Sequence, residues 1–564
     1  MSRAHNKRVI FTRRKFMGYA RRRFPIISWA SGYKRLWFLE DLMAGMTVGL
    51  TAIPQGIAYG IVAGLDAEYG LYSAFMSSFV YIFFGSCANI TIGPTAIMAL
   101  MVQPLVAKYG ADVAVLICFL KGLIITLLGI FHLGFLLDFI SLPVIAGFTS
   151  GAAITIASSQ FKPILGIPGS SSSFVDSIVS VFTNLDQIGW WDTLLGFGTV
   201  AFLVLLKNFS GNRTGSMMQK MMWMICLGRN AIVVIFGTAL AYAFSANGLE
   251  PFRLTGSLGQ GLPALSFPPF STKFNNETFT FFDLTTGMGQ TLVTLPIIST
   301  IEHMAIAKAF AMGKSFDATQ EMLALGLCNV FGSFVRSMPV TGSFTRTAVN
   351  HASGVRTPMG GLFTGILVLM AVGLLTEAFR FIPRATLAGV IVCAMYYMLD
   401  FQTCVLLWKA KKVDLAVLVA TFVSCVFLGV ELGIFIGILL NLIPLFYYSA
   451  RPSVQMRIEQ IEGRKYVQVI PEEAISFPAA EHIRNKIMKL SEQKSSGIIF
   501  NGKNLKRIDA TVAKNIKLLA KDLKVREQEI TFVNCPENVE TVIGSVAPEL
   551  ALRFVRTDPR GFPV

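Results

Sequence analysis

Ile92-Gly93-Pro94-Thr95-Ala96-Ile97-Met98-Ala99-Leu100 and Val340-Thr341-Gly342-Ser343-Phe344-Thr345-Arg346-Thr347-Ala348-Val349 share one design: a glycine-led break in an apolar stretch, followed by a helix-like run. Each comes after a helix that a proline interrupts, at Ala52-Ile53-Pro54-Gln55-Gly56 and at Thr294-Leu295-Pro296-Ile297, the glycine falling 39 and 46 residues after the proline. Corresponding interruptions in two halves of a membrane chain point to a solute site. Pro94 is suited to the N1 position of the first run, and both breaks carry Gly or hydroxyl residues suited to a cap.

The chemistry follows from backbone physics. A half-helix that starts at mid-bilayer turns unpaired N–H groups into a cavity. Its dipole puts about half a positive charge there. Two such ends facing one another make an anion site that needs no metal. Arg346, about one turn into the second run, adds a full positive charge and a fork of donors suited to an oxyanion. A cation inside a membrane is expensive, so Arg346 is expected to be functional or paired.

The surroundings of the breaks agree. The chain has 564 residues, of which 53% are hydrophobic and 15% charged. A soluble protein carries about 25% charged residues, so an ordinary cytosolic enzyme and a disordered chain are both excluded. From about 42 to 448 apolar stretches alternate with short polar breaks. At roughly 30 residues per span and loop, that leaves room for about fourteen spans. Residues 1–35 hold eleven Lys or Arg and no acid, and the net charge is +16. The positive-inside rule places that segment in the cytosol, with weak attraction to anionic lipid and no nucleic-acid role. The 207–229 loop (Lys207, Arg213, Lys220, Arg229) and the 408–412 loop (Lys409, Lys411, Lys412) fall on the same side. Asp66, Glu68, Asp186, Asp192, Glu250 and Glu277 fall on the other, as do Arg380 and Arg384. The 250–283 loop is then external and carries Asn276-Glu277-Thr278, a glycosylation acceptor at Asn276. Asn89-Ile90-Thr91 and Asn212-Arg213-Thr214 match the same pattern but fall at membrane depth or inside. No cleavable leader is expected. The eight cysteines form no C-x-x-C pair, so neither a metal site nor a disulfide framework is expected. No nucleotide loop or nucleophile elbow is present either, and no enzyme activity and no cofactor are expected.

Composition changes at Arg451-Pro452. Strand-like stretches (Val454–Ile461, Tyr466–Ile470, Gly497–Phe500, Thr531–Asn534) alternate with helical ones (Ala480–Glu492, Asp509–Leu523), which implies a small α/β domain. The chain therefore divides into a basic cytosolic segment 1–35, a transmembrane transport domain 36–450 and a cytosolic domain 451–564.

Five stretches together carry a family resemblance: Pro54-Gln55-Gly56-Ile57-Ala58-Tyr59, Gly70-Leu71-Tyr72, Gly93-Pro94, Gly147-Phe148-Thr149-Ser150-Gly151 and Gly342-Ser343-Phe344-Thr345-Arg346. On these the chain, from about 36 to 560, resembles the sulfate permease (SulP) family of anion transporters, the solute carriers with a STAS domain. The resemblance implies an all-α membrane domain in a seven-plus-seven inverted repeat. Spans 1–4 and 8–11 would form a core, and spans 5–7 and 12–14 a gate. It also implies a homodimer formed through the STAS and membrane domains, and elevator-type alternating access. The matched substrate positions are Gln55 and Tyr59, Thr95 and Ala96, and Ser343, Phe344, Thr345 and Arg346. Gln55 would donate to an oxyanion and Tyr59 would wall the site. In the STAS-like part Thr511 matches a position phosphorylated in bacterial relatives. Val512 stands where a Gly is usual and Asn501 where an acid is common, which argues against that modification. The C-terminal Phe562-Pro563-Val564 fits a PDZ groove.

Glu302 and His303 in Ser299-Thr300-Ile301-Glu302-His303-Met304 lie beside the expected site. Glu302 is the candidate proton carrier; the alternative is a static counter-ion pair with Arg346. His303 reads as a packing residue, and Glu40 and Asp41 as helix-end groups. Relatives with Glu at the 302 position resemble sodium-independent sulfate transporters. The expected function is secondary transport of sulfate or a related oxyanion, by exchange with chloride, bicarbonate or oxalate or together with a proton. A chloride-channel-like or voltage-responsive member of the same family is the alternative; a regulatory scaffold and a nucleobase carrier are the more distant readings. The plasma membrane is the expected residence, with the lysosomal membrane next, and both termini cytosolic.

Overall fold

The computed structural model describes residues 18, 21–134, 141–169, 171, 173–208, 217–255, 261–310, 317–374, 376–461, 464–471, 474–492 and 497–555. Two compact units result, Met1–Ile438 and Leu439–Val564. Most of the basic N-terminal segment, Arg213 and the C-terminal Phe562-Pro563-Val564 lie outside the described residues.

The first unit is built from helices. Its principal ones are α1 (Arg35–Val62), α2 (Ala67–Phe84), α3 (Ala96–Tyr109), α4 (Asp112–Ile130), α5 (Leu142–Ser159), α6 (Trp190–Asn208) and α7 (Met217–Ala246). Then come α8 (Thr291–Phe310), α9 (Ala318–Ser333), α10 (Phe344–Ser353), α11 (Gly360–Leu374), α12 (Arg384–Tyr396) and α13 (Lys412–Leu428), with shorter helices between, and α14 (Val430–Ala450) contains the point at which the chain divides. Among the described residues seven helices are long and apolar enough to cross a bilayer by length and composition. α3 and α10 are not among them, because each begins part-way through the bundle and runs for only 14 and 10 residues. α7 starts at Met217, so Lys220 and Arg229, read as loop residues, belong to a helix.

α1 and α2 pack on α11, α2 and α4 on α9, and α10 on α1. α5 packs on α13 and α6 on α12. Small residues make these approaches close. A Cβ on Gly122 would lie 2.7 Å from the Val330 backbone of α9, and one on Gly151 would lie 2.6 Å from Cys425 of α13. Association in lipid lacks a hydrophobic drive and depends on such tight packing. Asp41 is fully buried at the start of α1 and accepts from Tyr33, from both the Thr357 N–H and its hydroxyl, and from the Arg356 N–H. It thereby ties α1 to the chain leading into α11, while Glu40 pairs with Arg356 at 2.8 Å.

Strands β1 (Ile92–Gly93), β2 (Thr272–Phe274), β3 (Glu277–Phe279) and β4 (Thr341–Gly342) also belong to this unit. β2 and β3 form a hairpin whose turn residues Asn275 and Asn276 have φ of 49° and 64°. Asn276 is exposed there. Expressed in a eukaryotic cell, the protein should run as a glycoform that an endoglycosidase collapses, and Asn276→Gln should remove that shift. An unchanged gel pattern would put this hairpin on the cytosolic side. Asn89 is half-buried and donates to the Phe310 carbonyl at 2.9 Å, a poor acceptor for a glycan.

The second unit holds a five-stranded sheet in the order β11-β10-β8-β6-β5. Here β5 is Val454–Ile461, β6 Arg464–Pro471, β8 Gly497–Asn501, β10 Glu529–Val533 and β11 Phe554–Val555. β5 and β6 are antiparallel and the other pairings are parallel. β7 (Ala474–Ile475) and β9 (Arg507–Ile508) form a short separate pair. Helices α15 (Ala480–Ser491), α16 (Ala510–Val525) and α17 (Glu537–Val546) complete the unit. β8 is buried at every position, the pattern of a parallel strand covered on both faces. Thr511 is exposed in the first turn of α16, just after the N-cap Asp509.

Candidate anion-binding site

β1 and β4 are the two breaks. They pair antiparallel, Ile92 opposite Gly342 and Gly93 opposite Thr341, at the heart of the first unit. Each is followed at once by a helix. Thr95 caps α3 by accepting from the Met98 N–H at 3.5 Å, and Ser343 caps α10 by accepting from the Arg346 N–H at 3.5 Å. Pro94 therefore precedes the cap, two residues before the N1 position that the sequence reading gave it. Its missing N–H suits a chain that is still extended there, and its carbonyl is left free to accept.

Side chains from four helices satisfy the backbone around the crossing. Asn329 of α9 takes both polar groups of Val340, at 2.9 and 3.0 Å. Lys121 of α4, fully buried, donates to the Val340 carbonyl at 2.6 Å. Ser77 of α2 donates to Ile92 at 3.0 Å, and Thr341 donates to Ser299 of α8 at 2.8 Å. Thr91 N–H donates to the Thr347 hydroxyl, and Ser343 N–H to the Thr91 carbonyl. Irregular backbone at membrane depth needs such partners.

What remains unsatisfied defines the site. Among the described residues, the N–H groups of Ala96, Ile97, Phe344 and Thr345 have no acceptor. They are the first-turn donors of two half-helices whose starts are joined by one strand pair. Arg346 is 2% exposed and lies between them. Its Nη2 donates to the Pro94 carbonyl at 2.8 Å and its Nη1 to Gln55 Oε1 at 3.4 Å. Accepting through Oε1 leaves the Gln55 amide N–H₂ free to donate to a ligand. Tyr59, 3% exposed, lies one turn further along α1.

Gly93 makes room for the guanidinium: a Cβ there would lie 2.9 Å from Arg346 Nη2. Gly93→Ala should therefore push the fork aside by a few tenths of an ångström. A hydrogen bond to a charged group contributes about 1.5–3 kcal/mol, so partial misalignment should weaken anion affinity about tenfold. Isothermal titration of sulfate checks this, and unchanged affinity would detach Gly93 from the site.

The structure separates residues that the sequence grouped. Gln55, Thr95, Ala96, Ser343 and Arg346 come together, and Gly93 and Pro94 form part of their frame. The Phe344 side chain does not join them, although its N–H does. It is 43% exposed, with its ring 5.4 Å from Phe310 at the end of α8, so it borders the mouth of the crossing. Thr345 is half-buried and shares a contact with the Ser343 hydroxyl at 3.3 Å. Glu302 is 7% exposed, and its Oε2 has no hydrogen-bond partner. It forms no ion pair with Arg346, whose contacts go to Gln55 and Pro94 instead. A static counter-ion pair is therefore not the arrangement here. Two residues escaped the sequence reading: Lys121 and Glu321, both 0% exposed. The signal was present, since an ionisable residue inside an apolar helix is a functional hypothesis by default. Among the described residues no cluster of three metal-ligating side chains occurs.

Residues 38–421 match the model of the Sulfate permease family. The chain belongs to this family. It is 39% identical to the bovine sodium-independent sulfate anion transporter, over 94% of this chain and 89% of that one. The chloroplastic sulfate transporter 4.1 of Arabidopsis thaliana is 28% identical over 92% and 78% of the two chains. The solved overall structure of SLC26A9 superposes with a TM-score of 0.84 at 20% identity, over 96% of this chain and 92% of that one. Murine Solute Carrier 26 family member A9, an anion transporter solved in the inward-facing state, gives 0.81 at 21% identity, over 93% and 90%. The fold is thus that of these structures, and the chain is a multi-pass membrane protein of a transporter family, not an enzyme family.

Proposed function

We propose that this protein is a secondary active transporter of sulfate or a closely related oxyanion. The observation that carries the reading is the crossing itself. Four free N–H groups from two half-helix starts and a buried Arg346 converge, with a carboxylate, Glu302, left unpaired beside them. A tetrahedral dianion offers acceptors in every direction, matching donors that arrive from two helices and a planar fork. Gln55 donates through its free amide, Thr95 and Ser343 hold the half-helices in register, and Tyr59 and Phe344 border the path. Glu302 carries a proton with the anion, which offsets part of the charge moved. The names of the bovine and Arabidopsis relatives support sulfate as the substrate.

The same reading assigns a seven-plus-seven inverted repeat to the membrane unit, with α1–α4 and α8–α11 as a moving core and α5–α7 and α12–α14 as a gate, in an elevator-type cycle. Residues 451–564 are assigned as a STAS domain that helps form a homodimer. The plasma membrane is the assigned residence.

The test is uptake of labelled sulfate into proteoliposomes, with chloride, oxalate and bicarbonate as competitors or internal counter-anions. Saturable sulfate uptake, stimulated by external acid or by an internal counter-anion, is expected. Large uncoupled chloride currents in patch-clamp recording, with no sulfate accumulation, would overturn the proposal in favour of a channel.

A further inference from the structure

Arg384 departs from the charge pattern of the membrane unit: it is basic, yet it falls on the external side together with Asp66. It opens α12 and lines a cavity of about 380 Å³, walled by α1, α3, the end of α5, the short helix Phe161–Ile164 and α12. Asp66, Gly169 and Arg384 are exposed at its edge. Gln103 on its wall lies seven residues along α3 from Ala96, about 10 Å from the crossing at 1.5 Å per residue. The cavity therefore stands apart from the crossing, toward the outer end of α1.

Three polar groups at this cavity lack partners among the described residues. Gln103 is 8% exposed, and its amide makes no hydrogen bond. Lys162 is equally enclosed, and its ammonium forms no ion pair or hydrogen bond. A Cβ on Gly169, which lines the cavity, would lie 3.7 Å from Lys162 Nζ. Arg384 donates from Nε to the Leu254 carbonyl at 3.1 Å, which leaves both Nη groups without an acceptor. A buried amide without a partner and a buried cation without a counter-charge are both costly. An anion that accepts hydrogen bonds satisfies all three groups at once. The cavity is many times the ~30 Å³ share of one water, so the ion enters with part of its hydration shell. Asp66, the one acid among the described lining residues, makes no hydrogen bond or ion pair either. Two cations against one carboxylate give a modest pull, which suits a site that must pass its ion on. We propose that this cavity is a second anion site, in which an external sulfate is held by Lys162, Gln103 and Arg384 before it reaches the crossing. This rests on the sulfate reading and the orientation given above and extends them.

The experiment counts labelled sulfate bound at equilibrium to the full-length protein in phosphatidylcholine nanodiscs. The wild type should bind two sulfates per chain, one tightly and one weakly. Arg346→Ala should lose the tight one. Lys162→Met and Gln103→Leu should each weaken the other about tenfold, the worth of one hydrogen bond to a charged group. Neither side chain is bonded within the protein, so both variants should unfold at no lower temperature than the wild type, and the result does not depend on one variant folding. Asp66→Asn keeps a residue suited to the start of α2 and should tighten the weak site severalfold, while Arg384→Gln loosens it. Loss of packing alone would not give opposite signs. A wild type that binds a single sulfate, lost in Arg346→Ala, overturns the second site and leaves the sulfate reading intact. A wild type that binds none overturns the sulfate reading itself. Two sulfates that Lys162→Met, Gln103→Leu and Asp66→Asn all leave unmoved overturn the assignment to this cavity.

Discussion

Arg346→Ala should lose selective sulfate uptake while the protein still inserts and purifies as the wild type does. The guanidinium, carried on α10, reaches across the crossing to Pro94 beside α3 and to Gln55 of α1. Truncating one member of a buried, hydrogen-bonded charge interaction typically costs about 2–5 kcal/mol. For sulfate affinity that is roughly thirtyfold to several-thousandfold. Part of the loss is structural, since the Pro94 carbonyl and Gln55 Oε1 lose their donor, and a buried unsatisfied acceptor costs about 1–3 kcal/mol. Thermal unfolding in detergent separates the two effects. A modest drop in melting temperature with abolished uptake is expected; full uptake with oxyanion selectivity intact would remove Arg346 from the site. Arg346→Lys keeps the charge and loses the planar fork, and should fall between the two.

Glu302→Gln should remove one proton from the coupling and leave the anion pathway open. Glu302 Oε2 is buried and free of partners, so no structural bond is lost when an amide replaces the carboxylate. Exchange of labelled for unlabelled sulfate, which needs no net proton movement, should continue at a comparable rate. Accumulation against a pH gradient should fall about tenfold per pH unit, because the amide can neither take up nor release a proton. The sign is fixed: wild-type uptake rises as the outside becomes more acid, and the variant responds less steeply. An unaltered response would make Glu302 a bystander. Loss of exchange as well would make it a substrate ligand, not a proton carrier.

The breaks were legible because glycine and proline punctuate an apolar sequence in a way that side-chain periodicity does not hide. Gly93-Pro94 and Gly342-Ser343 announce both half-helix starts, and Arg346 marks a cation beside the second. What the sequence could not show was how the starts meet. The pairing of Ile92 with Gly342 joins residues 250 positions apart, and nothing local in either stretch specifies its partner. Phe344 illustrates the same limit. It follows a capping residue directly, yet the helix geometry turns its ring outward toward Phe310. Lys121 and Glu321 were hidden by context: each sits in a helix whose neighbours gave no sign of a break, and their importance comes from the Val340 carbonyl and the His303 ring across the bundle. His303 reads as packing on α8 alone and meets the Glu321 carboxylate only when α9 is beside it. In the second unit the alternation of strands and helices was plain, while the short β7, β9 and β11 were not. Two-residue strands carry too little pattern to be told from loop.

The most direct measurement is a sulfate-bound structure of the full-length protein in lipid at saturating sulfate. The account predicts a tetrahedral density at the crossing, about 3 Å from the Ala96, Ile97, Phe344 or Thr345 N–H groups and within reach of Arg346 and the Gln55 amide. An empty crossing, with the ion bound elsewhere or Arg346 turned away from it, would contradict it.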